Sequence, residues 1–280
     1  MRTEPSLEEL LDCAITAAYT AGNHAAKNIK RNKDYLLLRR HDVKLALDME
    51  CQLLATKVIR KQFGNNMNIG GEEDFLLSRS RNKTKKQQKE DNVLSHYRWV
   101  IDPIDGTVNF SHGMKIWCTS VAVLRDETVI AGAIYSPMLN ELYTATIESH
   151  ACLNGKPIHV SEITELKHSI VCTGLRISSN EKTGTEQSVL AIGKACQRVR
   201  MIGSAALDMC YVACGIADGY FEAGIYEWDI SAGKLLVERA GGKVEILARL
   251  EGGRLAVLAT NGKIHQKLKK VVLPTKQERE

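Results

Sequence analysis

The chain has 280 residues, 44% of them hydrophobic and 25% charged, which is enough apolar material for a large core and excludes a disordered chain. The formal charge of +5 is modest for this length, and Lys and Arg are dispersed apart from one patch, so no nucleic-acid partner is implied. No run approaches the ~20 apolar residues of a membrane span, and eight cysteines behind an N-terminus without an apolar leader, MRTEPSLEELLDCA, read as reduced thiols in a cytoplasmic protein.

Ser6-x-x-Glu9 has the form of a capping box and opens a helix through Leu7, Leu11, Ala14 and Ala18 to about Ile29. Cys51, Leu54, Ala55, Val58, Ile59 and Phe63 recur at helical spacing and predict a second helix, with Asp48 at or near its N-terminus. Met67 to Ile69 is a short strand candidate. Between Ser78 and His96 the sequence SRSRNKTKKQQKEDNVLSH is polar and basic. It reads as a solvated surface excursion or, functionally, as a lid that raises positive potential near an anionic substrate; it carries no aromatic residues to stack bases. From residue 119 onward TSVAVLR, TVIAGAIY and ELYTATI, rich in β-branched residues and parted by turns, predict an antiparallel meander. The second half alternates: strands near Ser169–Thr173, Arg198–Met201 and Gly219–Ala223, and helices near Thr183–Cys196, Ser204–Gly215 and Ile230–Ala240, the last stopped by Gly241-Gly242. Cys210 and Cys214 share a helix face, but no second pair or His cluster stands at zinc spacing. Asn82 and Asn109 lie in glycosylation sequons, which matter only in a secreted chain.

The densest signal is WVIDPIDGTVNFSHG, residues 99 to 113. An apolar run (Trp99, Val100, Ile101) delivers Asp102 and Asp105 to a turn in which Pro103 biases Asp102 toward extended backbone and Gly106 permits close approach of a ligand. Oxygen-only donors suit Mg²⁺ or Mn²⁺ better than zinc, so the first expectation is a magnesium phosphatase. A lone D-P-x-D-G is also ordinary turn chemistry. Two further acidic sites weigh against that reading: Glu72 in IGGEED, just after a strand candidate, and Asp229 in EAGIYEWD, directly before a helix candidate.

With these motifs the chain resembles the inositol monophosphatase family of metal-dependent sugar and inositol phosphatases. Gly71-Glu72-Glu73 matches the family's G-E-E, Trp99 to Phe110 its W-x-x-D-P-x-D-G-T-x-N-F, and Trp228 to Gly233 resembles its W-D-x-A-A/S-G, in order, over about residues 7 to 265. The resemblance implies a five-layered αβαβα sandwich, an α+β half (1–145) and an α/β half (146–280) meeting at the site in one compact unit. It also implies two magnesium ions: Glu72, Asp102 and the Ile104 carbonyl on one, Asp102, Asp105 and Asp229 on the other. A third, weaker ion near Glu72 and substitution by Mn²⁺ belong to the same expectation. A metal-activated water would attack the ester, oriented and deprotonated by Glu72 and Thr107, with Asp48 in support.

Phosphate is expected against the backbone amides of Gly106 and Thr107, at the start of a short helix from Val108 to His112. The leaving alcohol is expected against Gly203, Ser204, Ala205, Glu222 and Asp229, with Asp105 and Thr107 also in the substrate-binding set. Structural readings compete here: Glu222 as a solvated strand end, and Ser204 and Asp229 as helix N-caps. Glu222 stands where the family's 3′-nucleotidases tend to carry an arginine-containing segment, which argues against bisphosphorylated nucleotides. The sequence departs from the family at Leu45 and Leu47, where many members carry Thr, and at Met114-Lys115-Ile116, where a proline-containing run is usual. These departures bear on substrate choice. The expected substrate is therefore an inositol monophosphate, a small phosphorylated polyol. The alternatives are fructose 1,6-bisphosphate, histidinol phosphate, 3′-phosphoadenosine 5′-phosphate or, in another class, a catalytically idle RNA-associated binding protein. Lithium sensitivity and a homodimer complete what the resemblance implies.

Overall fold

The computed structural model describes residues 4–39, 42–73, 93–175 and 185–273. Most of the basic segment, and Asn82 with it, lies outside those residues.

Helix α1 (Leu7–Lys27) opens on the expected capping box: the Ser6 hydroxyl accepts from the Glu9 amide and the Glu9 carboxylate from the Ser6 amide. The helix stops at Lys27, where the Asn28 cap leads into a 3₁₀ turn, two residues short of the sequence expectation. Its buried stripe of Leu10, Cys13, Ala14, Ala17, Ala18, Ala21 and Ala25 is mostly alanine, which brings the helix axis close to the sheet beneath. A short hairpin, β1 (Tyr35–Arg39) and β2 (Asp42–Leu45), follows and leads directly into α2 (Ala46–Phe63). The hairpin carries no alternating pattern, because Leu36 and Leu38 are exposed, and so it had no period to betray it.

The first sheet has seven strands in sequence order: β3 (Asn68–Gly71), β4 (Tyr97–Asp105), β5 (Cys118–Arg125), β6 (Thr128–Ser136), β7 (Glu141–Thr146), β8 (Cys152–Leu153) and β9 (Lys156–Pro157). Only the β3–β4 pair is parallel, and β5 to β7 form the expected meander. A one-turn helix, α3 (Thr107–Ser111), follows β4. The second sheet runs β11 (Arg198–Arg200), β10 (Ile170–Thr173), β12 (Gly219–Ile225), β14 (Leu255–Thr260) and β13 (Lys243–Arg249). Helices α4 (Thr185–Ala195) and α7 (His265–Val272) cover its outer face. Helices α5 (Ala205–Ala213) and α6 (Glu227–Arg239) lie between the two sheets and pack on both.

With α1 and α2 on the free face of the first sheet, the layers are αβαβα, as expected. Three apolar clusters fill the spaces between layers: α1 and α2 on sheet one, α5 and α6 between the sheets, and α4 and α7 on sheet two. The eight cysteines are all free, five of them buried. No helix among the described residues is long and apolar enough to cross a membrane.

Candidate active site

The site is built where β4 loses its register. Asp102 pairs with Ser120 and Asp105 with Cys118, so the strand bulges between them, and the Thr119 hydroxyl donates to the Pro103 carbonyl (2.8 Å) to hold the bulge. Asp102 Oδ1 accepts the Ile104 amide (3.1 Å), and the Thr107 hydroxyl donates to the Ile104 carbonyl (2.9 Å). Gly106 turns the chain into α3 at φ 93°. A Cβ there would stand 3.2 Å from the Gly203 and Ile116 carbonyl oxygens, so glycine is required by both conformation and space.

The second half reaches this turn through α5. Both oxygens of Asp105 are held by it: the Ser204 hydroxyl donates at 2.5 Å and the Ala206 amide at 2.8 Å to Oδ2, and the Ala205 amide at 3.3 Å to Oδ1. Ser204 also caps the helix through the Leu207 amide. Asn109 fixes the approach, its Nδ2 donating to the Ile116 and Ile202 carbonyls at 2.8 Å each. Its side chain is thus spent inside the fold, whatever the sequon.

Asp229 lies inside the first turn of α6, which begins three residues earlier than the sequence expectation, and its Oδ2 accepts the Tyr226 amide (2.7 Å). The bidentate Arg98–Glu227 pair (2.7 Å each) ties that turn to β4. Asp48 likewise lies inside α2, its Oδ2 accepting the Leu45 amide (2.8 Å). Glu222, on β12, accepts the buried Tyr220 hydroxyl (2.9 Å), and Gly174 leaves room for its carboxylate: a Cβ at that glycine would collide with it.

Glu72 directly follows Gly71, the last residue of β3. Burial pushes Asp102 well above the usual carboxylate range, and Glu72, Asp105, Asp229 and Asp48 push it further. Asp48 is raised by burial and then by Glu72, and Asp229 by burial and then by Asp105. Asp105 is also raised by burial, against the pull of its Ser204, Ala206 and Ala205 hydrogen bonds. The acids named from the sequence are therefore brought together closely enough to oppose one another's ionisation.

A divalent cation fits this donor set. The ligands are oxygens, and Asp48, only 1% exposed, has an Oδ1 with no hydrogen-bond partner. As they stand, no three of the described His, Cys, Asp or Glu side chains close on a single point as a finished chelate. Sequence reasoning passed over Lys44, Gln52, Tyr220 and the buried Asp208 of α5. Lys44 precedes the Leu45 departure and Tyr220 lies in the strand expected near Gly219–Ala223, while Asp208 carried no signal beyond being an acid in an apolar helix.

The layered αβαβα sandwich and the buried acids beside its β4 turn are those of a metal-dependent phosphatase fold, and comparison with known proteins gives the class as a phosphoric monoester hydrolase. The inositol monophosphatase family matches residues 6–278, and the chain belongs to that family, which is metal-dependent. It is 40% identical over 192 residues, 66% of each chain, to the inositol-1-monophosphatase of Synechocystis sp.. It is 32% identical over 259 residues, 91% of this chain and 90% of the other, to the Nus factor SuhB of Escherichia coli K12. The inositol monophosphatase structure from Anabaena superposes with a TM-score of 0.79 at 33% identity, covering 97% of this chain and 99% of that one.

Proposed function

We propose that this protein releases inorganic phosphate from an inositol monophosphate, using two Mg²⁺ ions for which Mn²⁺ substitutes, and that it is a lithium-sensitive cytoplasmic homodimer. The observation that carries the reading is the buried turn where β4 bulges between Asp102 and Asp105, with Asp229 and Asp48 held at the starts of α6 and α2 and all four carboxyls raised by burial. Glu72, Asp102, the Ile104 carbonyl, Asp105 and Asp229 would hold the ions, which when bound neutralise the phosphate and lower the pKa of water.

The chain's own residues do the rest. The Thr107 hydroxyl donates its proton to the Ile104 carbonyl, so it meets a water as a hydrogen-bond acceptor and orients it, while the Glu72 carboxylate takes the water's proton. Asp48 holds the start of α2 through the Leu45 amide and backs this pair. Gly106 and Thr107 receive the phosphate on their amides. Glu222 and Asp229, with Gly203, Ser204 and Ala205 beside them, accept from the ring hydroxyls of the alcohol. An acceptor at Glu222, braced by Tyr220, suits a polyol and repels a second phosphate.

Phosphate release with and without Mg²⁺ across inositol 1-phosphate, fructose 1,6-bisphosphate, histidinol phosphate and 3′-phosphoadenosine 5′-phosphate tests this. Mg²⁺-dependent preference for the inositol ester is expected, lost by more than about a hundredfold in a folded Asp105→Asn protein. Preference for another ester would overturn the substrate. The likeness to Nus factor SuhB favours a second reading, a binding role independent of turnover. It requires that Asp105→Asn leave function in cells intact.

A further inference from the structure

Lys44 is a buried cation that the metal-binding motifs do not account for, and it reaches the segment that carries Glu72. The parallel pairing of β3 with β4 ends at Gly71 and Ile101, so the residues that come next in the chain are Glu72 and Asp102. Gly71 fits that approach closely: a Cβ would lie 2.6 Å from both Gln52 Oε1 and the Ile101 carbonyl. On the other side of Glu72 stands Glu73, 4% exposed. Lys44 Nζ donates to both of its carboxylate oxygens, at 3.0 and 3.1 Å, and the Glu73 amide donates to Gln52 Oε1 at 3.1 Å.

Both grips come from one corner of the fold. Lys44 lies on β2, paired with Leu37, and Gln52 lies on α2, while the Asp48 carboxylate joins strand to helix by accepting the Leu45 amide. A buried Lys–Glu pair contributes little net stability, because desolvating two charges offsets most of their attraction. What it fixes is geometry. With its carboxylate held at both oxygens and its amide held as a donor, Glu73 has one position, and with Gly71 seated on the other side the backbone of Glu72 is bounded at both ends.

Resting on the reading of Glu72 as the base above, we infer that Lys44 and Gln52 are positioning residues for it. By holding Glu73, one through its side chain and the other through its backbone, they fix the chain at Glu72 and so aim its carboxylate at the water.

Measurement of kcat and KM for phosphate release in excess Mg²⁺, with Tm taken alongside, tests this. Lys44→Met should lower kcat by about tenfold to a hundredfold while KM stays within about twofold. The Lys44→Met/Glu73→Met protein removes both buried charges and should regain the wild-type Tm but not the wild-type kcat. A return of kcat together with Tm would make the pair structural only and overturn the inference, as would an unchanged kcat in Lys44→Met. In a Glu72→Gln background Lys44→Met should have no further effect, because it acts through Glu72, and an additive loss there overturns the inference as well. Should Lys44→Met fail to fold, Gln52→Met, which gives up the acceptor of the Glu73 amide, takes its place: the same fall in kcat is expected, and wild-type kcat overturns the inference. Full activity in Glu72→Gln alone would instead defeat the reading of Glu72 as the base, and the inference with it.

Discussion

Asp102→Asn should move stability in opposite directions with and without metal. In the metal-free protein Asp102 is 2% exposed and faces Glu72, Asp105, Asp229 and Asp48, all of which disfavour its charge. An amide keeps the shape of the side chain, and its oxygen still accepts the Ile104 amide now at 3.1 Å, so packing is preserved while the buried charge is removed. Burying one charge beside like charges costs roughly 1–3 kcal/mol or more. Recovering that much should raise Tm by roughly 2–12 °C for a chain of this size. With Mg²⁺ the balance reverses. At a hundred times Kd, a ligand bound only by the folded state adds about 2.7 kcal/mol, or roughly 5–10 °C. The variant has lost a ligand and should lose that increment. Thermal unfolding of both proteins in EDTA and in excess Mg²⁺ reads both effects. A variant less stable than wild type in EDTA, yet shifted as far by Mg²⁺, would refute both the mutual repulsion and the ligand role.

The same carboxylates set a pH dependence. Asp48, Asp102 and Asp229 titrate above the ordinary 3.8, so the folded protein keeps protons that the unfolded chain has already released; metal-free stability should fall as pH rises from about 4 through their raised values and level off beyond. Urea midpoints measured in EDTA check the sign, and excess Mg²⁺ should restore the loss at high pH. Gly106→Ala forces a left-handed residue against the Gly203 and Ile116 carbonyls and should cost about 1–3 kcal/mol in thermal unfolding, with loss of phosphate release. Tyr220→Phe removes the donor that braces Glu222 and should raise KM for the inositol ester about threefold to tenfold while kcat holds; an unchanged KM would relieve Tyr220 of that role.

What the sequence determined by itself was local chemistry. The capping box at Ser6 and Glu9, the meander from residue 119 and the acidic turn at Asp102 and Asp105 are each written in a short window, because caps, strand periods and turn residues act over a few positions. The family motifs carried the layered fold on the same footing. The hairpin at Tyr35–Leu45 was hidden, since its leucines face outward and its pairing has no apolar period. So was the buried Lys44–Glu73 pair, whose members lie twenty-nine residues apart. Ser204 is an ordinary helix cap in sequence, and only the packing of α5 against β4 brings its hydroxyl to Asp105, ninety-nine residues away. Long-range approach of this kind depends on how whole layers stack. That stacking is decided by the combined burial of three apolar clusters rather than by any segment alone, so the partners of each acid were settled only in the tertiary structure.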